Sequence, residues 1–317
     1  MNYSKYFEYS KKCNVCDSDS YTTISKRDKF GCYYPLKYCL KCHNIFSLLI
    51  LKQEKLNYYY DGIANKIKID KDPIILFQNR IKPNNYAFDR FNFITSNLKK
   101  EIKSETLICE IGCSDGANLF PFHVKGYKTI GFDFNSKRID IGNGNNLNLH
   151  KVNSTKTVFT HISKEIKPKL IYLSHLIEHI LDLYEFFKNL IKSISINDLL
   201  FIETPCIDYI IDLDKKPSRL YPRDKNFINN LQLEHTHFFQ EDQLNNILKI
   251  FGFKKIFSNH IYRGLFILEN KDFPDKDSFN KKIIELKSES IIPKINLLES
   301  HYKIETNYIK YIIKHIF

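Results

Sequence analysis

Two cysteine pairs near the start of the chain, Cys13-Asn-Val-Cys16 and Cys39-Leu-Lys-Cys42, are separated by 22 residues. A CxxC turn lets two thiolates grip one ion. Two such turns complete a tetrahedral sulfur shell suited to Zn²⁺. Four thiolates leave no open position for water or substrate, so the expected role is structural. The stretch between the pairs holds few apolar residues, so metal would supply much of its folding energy. A redox site needs only one pair, and the first 13 residues show no apolar leader, which disfavours a disulfide framework. Cys32 and His43 are spare ligand candidates.

A second group of residues suits a nucleotide. Leu107–Ile111 has the apolar run of a strand, and Gly112-Cys113-Ser114-Asp115-Gly116 turns sharply after it. The glycines allow close backbone approach to a ligand. Asp133 ends the next strand candidate, Thr129–Asp133, about 20 residues on, placed to accept hydrogen bonds from ribose hydroxyls. Taken alone this pattern admits NAD or an ordinary strand-to-helix turn. A third group is histidine: His175 with His179, and His235 with His237. Imidazole is the side chain best suited to take a proton near neutral pH.

These groups need elements to hold them. Leu170–Ser174 and Leu199–Glu203 read as further strands, the first followed by a helix pattern at His175–His179, the second stopped by Thr204-Pro205. Gln243–Phe251 reads as an amphipathic helix capped by Gly252, with last strand candidates at Lys254–Phe257 and Leu265–Leu268. Tyr86–Leu98 reads as a mixed apolar helix leading into the fold. Alternation of strand and helix predicts an α/β fold with a doubly wound, mainly parallel sheet. Ligands then belong at the carboxyl ends of the strands.

Five segments in order carry a family resemblance. Glu110-Ile-Gly112-Cys-Ser-Asp-Gly116-Ala-Asn-Leu resembles motif I of class I S-adenosylmethionine (SAM) methyltransferases, with Ser114 in place of the middle glycine. Gly131-Phe-Asp133-Phe-Asn resembles the second motif, and Leu173-Ser-His175-Leu-Ile-Glu178-His179 the segment beside the methyl donor. Phe201-Ile-Glu203-Thr-Pro205 resembles the fifth strand and its exit. Glu234-His235-Thr-His237-Phe-Phe followed by Gln243–Phe253 resembles the block before the final antiparallel pair. The resemblance covers about 104–270 and implies a seven-stranded Rossmann-like sheet with its last pair antiparallel. It implies SAM held by Glu110, Gly112, Cys113, Ser114, Gly116, Asp133, Phe134 and Ser174.

Tyr34-Pro-Leu-Lys-Tyr-Cys39-Leu-Lys-Cys42-His-Asn-Ile-Phe46, with Tyr58-Tyr-Tyr-Asp-Gly62, resembles the zinc-binding module preceding deoxysugar and surface-polysaccharide methyltransferases. That implies an anionic acceptor, a nucleotide-linked or phosphorylated sugar; the basic loop Lys215–Arg223 reads either as a partner for its pyrophosphate or as an ordinary solvated loop. In the carbon-methylating relatives a Tyr-x-Glu-His element does acid–base work. Here Gln232-Leu-Glu234-His235 keeps the last two and lacks the tyrosine, favouring an oxygen acceptor with His235 as base, Glu234 as its partner and His179 as rival. His175, Glu178 and His179 would share one helical face, and with His235 form a possible second divalent-metal site resembling that of small-RNA 2′-O-methyltransferases.

The expected organisation is a zinc ribbon at 1–60, linking helices at 61–103, the SAM domain at 104–270 and a helical extension at 271–317 that covers the domain or supports a homodimer. The formal charge of +12 admits a nucleic-acid partner, but the positive residues are scattered and form no arginine-rich or aromatic single-strand platform. No membrane span is expected, and the location expected is cytoplasmic.

Overall fold

The computed structural model describes residues 7–27, 33–52, 72–98, 102–164, 166–208, 235–259, 263–288 and 290–291. Glu234, Gln232, Cys32, the tyrosine run at 58–60, the basic loop 215–223 and most of the extension beyond 288 lie outside them.

The main sheet has seven strands, in spatial order β12-β13-β10-β9-β6-β7-β8. They are β6 (Leu107–Ile111), β7 (Lys128–Asp133), β8 (Leu149–Lys151), β9 (Leu170–Ser174), β10 (Leu199–Glu203), β12 (Phe253–Ser258) and β13 (Arg263–Leu268). Strands β10, β9, β6, β7 and β8 run parallel, while β13 is antiparallel to both β10 and β12. This is the expected sheet with its antiparallel final pair. The central parallel strands β6, β9 and β10 are buried on both faces, so their sequences are near-continuous apolar runs. Alternate residues serve opposite faces: Ile108, Tyr172 and Phe201 pack against one helical layer, Cys109, Ile171 and Leu200 against the other.

Eight helices are described: α1 (Pro73–Arg80), α2 (Tyr86–Asn97), α3 (Phe120–Val124), α4 (Ser136–Asn143), α5 (Thr155–Lys164), α6 (Leu183–Ser193), α7 (Glu241–Ile250) and α8 (Lys276–Glu285). The Asp182 side chain caps α6 by accepting from the Glu185 N–H, and the helix buries Leu183, Tyr184, Phe186, Phe187, Leu190 and Ile191.

The cysteine-rich segment forms β1 (Phe7–Tyr9), β2 (Tyr21–Arg27), β3 (Tyr33–Cys39), β4 (Ile45–Ser47) and β5 (Leu49–Leu51). Its four-stranded sheet, β11-β4-β3-β2, takes its edge strand β11 (His237–Phe238) from the segment before α7. His237 pairs with Phe46 and Phe238 with Ile45. The ribbon is thus joined to the main domain by a shared sheet, which a division at residue 60 does not foresee.

Candidate active site

The four cysteines are buried and reduced. Cys13 and Cys42 Sγ lie 3.7 Å apart, Cys16 and Cys39 Sγ 3.6 Å. All four sulfurs fall within 4.8 Å of one another. A tetrahedron of sulfurs at about 2.3 Å from Zn²⁺ has edges of about 3.8 Å, so the set fits that ion and is far from disulfide bonding. Burial raises the Cys13 thiol well above its ordinary value, while the hydrogen bond from Cys13 lowers Cys39. Without a cation the cluster cannot hold four thiolates.

At the carboxyl end of β6, Gly112, Ser114 and Gly116 have φ of +76°, +53° and +72°. A Cβ on Gly116 would stand 2.7 Å from the Leu147 side chain, so both the turn and its packing demand glycine. Buried Asp115 anchors the turn through Arg80 of α1 and Arg138 of α4. Asp133 accepts from the Ser114 N–H at 2.8 Å through one oxygen and from the Asn135 N–H at 2.8 Å through the other. Burial raises its pKa against those two amides. Each oxygen retains a lone pair for a ribose hydroxyl.

Glu110 is fully buried. Its Oε1 accepts from Asn118 at 2.7 Å, and its Oε2 has no hydrogen-bond partner among the described residues. Burial pushes its carboxyl up to about 8, against the Asn118 hydrogen bond and the Arg90 charge. An orphaned buried carboxyl oxygen beside a glycine turn suits the ammonium group of SAM. The Cys113 side chain, by contrast, is buried beneath Gly131, leaving only its backbone for a ligand. Phe134 is half-buried, and Ser174 is buried at the end of β9.

Beyond Ser174 the structure departs from the helix expected at His175–His179. His175 has φ +51°, and only a 3₁₀ turn follows, Ile177–His179. The three side chains therefore do not share a helical face. His175, with 39% of its side chain exposed, turns between Glu178 and Glu203, 3.3 Å from each. Burial opposes its charge, yet the two carboxylates raise it to about 9. Glu203 also receives Arg90 of α2 and Arg263 of β13, and Arg263 bonds Asp89 at 2.7 Å. Burial alone would raise Glu203, but Arg90 and His175 hold it well below the usual range.

His235 meets the expected rival. It is 5% exposed, and its ring lies edge-on to His179 with centroids 4.8 Å apart. Glu178, His179 and His235 bring one potential ligand atom each within 4.8 Å of the others, a set that could hold a divalent cation; His175 stands outside it. Buried Glu178 accepts from Thr204 Oγ at 3.0 Å; burial alone would raise its carboxyl, but His175, His179 and His235 together bring it down to about 2. His237 does not join this site. Its Nε2 donates to the Ile180 carbonyl at 2.9 Å, and burial lowers it to about 4, so it is neutral and structural.

Arg90, Asn118, Thr204 and Arg263 were not visible as site residues in the sequence. Arg90 sits in an aromatic helix whose pattern reads as core, and its signal is a lone charge on the apolar face. Asn118 stands two residues past the glycine turn, and its signal is that proximity.

A methyltransferase-domain family model matches residues 79–256. A SAM-dependent methyltransferase from Archaeoglobus fulgidus is 19% identical, covering 58% of this chain and 75% of its own, with a TM-score of 0.40. The PH0226 protein from Pyrococcus horikoshii OT3 is 12% identical, covering 63% and 100%, with a TM-score of 0.45. Magnesium protoporphyrin IX methyltransferase from Synechocystis PCC 6803, with bound SAH, is 12% identical, covering 68% and 98%, with a TM-score of 0.44. No curated protein matches the sequence.

Proposed function

The chain belongs to the methyltransferase-domain family and is a SAM-dependent methyltransferase; we propose that it methylates a hydroxyl of a small anionic acceptor, a nucleotide-linked or phosphorylated sugar, with His235 as general base. The carrying observation is the pairing of half-buried His179 with buried His235 just beyond Ser174, at the same strand ends as the glycine turn. SAM supplies a methyl group already activated as a sulfonium. The protein's task is to place an acceptor oxygen in line with it and take one proton.

In this reading Asp133 binds the ribose and Glu110 faces the amino-acid end. The acceptor oxygen would take the methyl as the sulfonium S–CH₃ bond breaks and a neutral thioether leaves, and the acceptor proton would pass to a ring nitrogen of His235. Glu178, held anionic between Thr204 and His175, favours the imidazolium that results. Zinc held by Cys13, Cys16, Cys39 and Cys42 is structural. The sugar class rests on the ribbon's resemblance. The test is incubation with SAM and a panel of nucleotide-sugars, phosphosugars and RNA, scored by the mass gain of one methyl. Gain on RNA alone, with strong salt dependence, would replace the sugar reading.

The grouping of Glu178, His179 and His235 favours one second reading, a divalent cation in place of a free base. Metal analysis separates the two: a metal content above that of the cysteine cluster, lost in His179→Ala, supports the cation.

A further inference from the structure

The segment carrying His235 is held by the ribbon as much as by the main domain. The peptide plane joining His235 to Thr236 is gripped at both ends. Its carbonyl accepts from the Tyr34 hydroxyl of β3, and its N–H donates to the Glu178 carbonyl at 2.8 Å. The next plane is gripped too: the Thr236 carbonyl accepts from Asn14 Nδ2 at 3.1 Å and from the Ser47 N–H at 3.3 Å. The Thr236 hydroxyl adds a bond to the Glu178 carbonyl at 3.1 Å. Because each peptide is planar, these bonds fix the backbone on the carboxyl side of His235 and with it the position of the Cα from which the ring departs.

Asn14 is itself part of the first cysteine turn, between Cys13 and Cys16. Its Oδ1 accepts from Asn44 Nδ2 at 2.9 Å, and the same Nδ2 lies 3.8 Å from Cys13 Sγ. A short hydrogen-bonded chain thus runs from a cysteine sulfur through Asn44 and Asn14 to the residue after the candidate base. Asn44 is fully buried, so little water competes for these bonds.

We propose that Asn14 and Tyr34 are positioning residues that set the His235 ring, linking metal occupancy of the cysteine cluster to the geometry of the methyl-transfer site. The inference rests on His235 being the base, and it gives the ribbon a role in activity beyond stability. Loss of the metal would loosen the Cys13–Cys16 turn, release Asn14 from Thr236 and let the His235 ring leave its place beside His179.

The test uses the full chain loaded with zinc and labelled with ¹⁵N-histidine. Asn14→Ala and Tyr34→Phe are compared with the unaltered protein by zinc content, SAM affinity and the ring resonances of His235 and His179. Both variants are expected to retain their zinc and bind SAM as before, while the His235 signals shift or broaden. On whichever panel acceptor gains a methyl, kcat should fall by up to about 10²-fold with KM for SAM unchanged. Chelating the zinc should move the same signals. Tyr34 is not among the four residues of the cysteine cluster, so Tyr34→Phe remains decisive if Asn14→Ala loses metal. Unchanged His235 signals in Tyr34→Phe and after chelation would overturn the inference. Failure of the base assignment shows differently, as full turnover in His235→Ala, whatever the resonances do.

Discussion

Glu110 is a carboxyl group kept from water at the point where a cationic ligand is expected, and its pH behaviour follows. Its folded value of about 8 lies above the ordinary carboxyl range. Between that range and about 8 the folded protein therefore binds more protons than the unfolded one, and ligand-free stability falls as pH rises through the window. Glu110→Gln should abolish that part of the slope in denaturant titrations and stabilise the ligand-free protein at alkaline pH, while weakening SAM binding. A slope unchanged by the substitution would show that Glu110 does not titrate there. In the proposed reading Asp133→Ala removes the carboxylate that holds the ribose and should weaken SAM by roughly 2–4 kcal/mol in calorimetry. Equal affinity would dissociate Asp133 from the ribose. Much of this site was legible in the sequence. Asp133, Gly112, Gly116 and Glu110 follow a local strand-turn spacing that a single chain displays. The partners Arg90 and Arg263 were not, since they come from distant elements and meet at Glu203 only through the sheet register.

At the scale of elements, Gly252 ends α7 with φ +84°, and a Cβ there would stand 2.1 Å from the Asn270 carbonyl oxygen. Gly126 has the same φ of +84° and nothing within 4 Å. Gly126→Ala should therefore cost only the left-handed backbone penalty, about 1–2 kcal/mol, and Gly252→Ala clearly more. Thermal unfolding that ranks them equally would contradict the packing at Gly252. The expectation of a helix over His175–His179 failed for a related reason. The i, i+3, i+4 spacing is right, but the His175 N–H bonds the Glu203 carbonyl at 2.8 Å and turns the chain into a left-handed residue before any helix can start. β11 was also missed, because a two-residue strand leaves no periodicity and owes its form to β4, about 190 residues earlier.

For the molecule as a whole, the ribbon and the sheet share one covered interior: Cys13, Cys16, Cys39, Cys42 and Phe46 lie in the same buried cluster as Leu173, Phe187 and Phe251. Metal removal should then lower the stability of the whole chain and not of the ribbon alone. Chelator is expected to shift the main unfolding transition downward; a small early transition with the main one unmoved would show the ribbon to be independent. No helix among the described residues is long and apolar enough to cross a membrane. The seven-stranded sheet and its antiparallel final pair were legible from five ordered motifs, whereas the joining of ribbon to sheet depends on contacts between distant segments that no local pattern encodes. The central claim is that His235 takes the proton from the acceptor while SAM is held elsewhere. Its most direct measurement is methyl transfer by His235→Ala beside His179→Ala and the unaltered protein, on the panel acceptor that gains one methyl, with SAM affinity measured on the same samples. The account predicts that His235→Ala binds SAM normally, loses about 10²–10⁴-fold in kcat and falls further than His179→Ala. Near-full turnover by His235→Ala would contradict it.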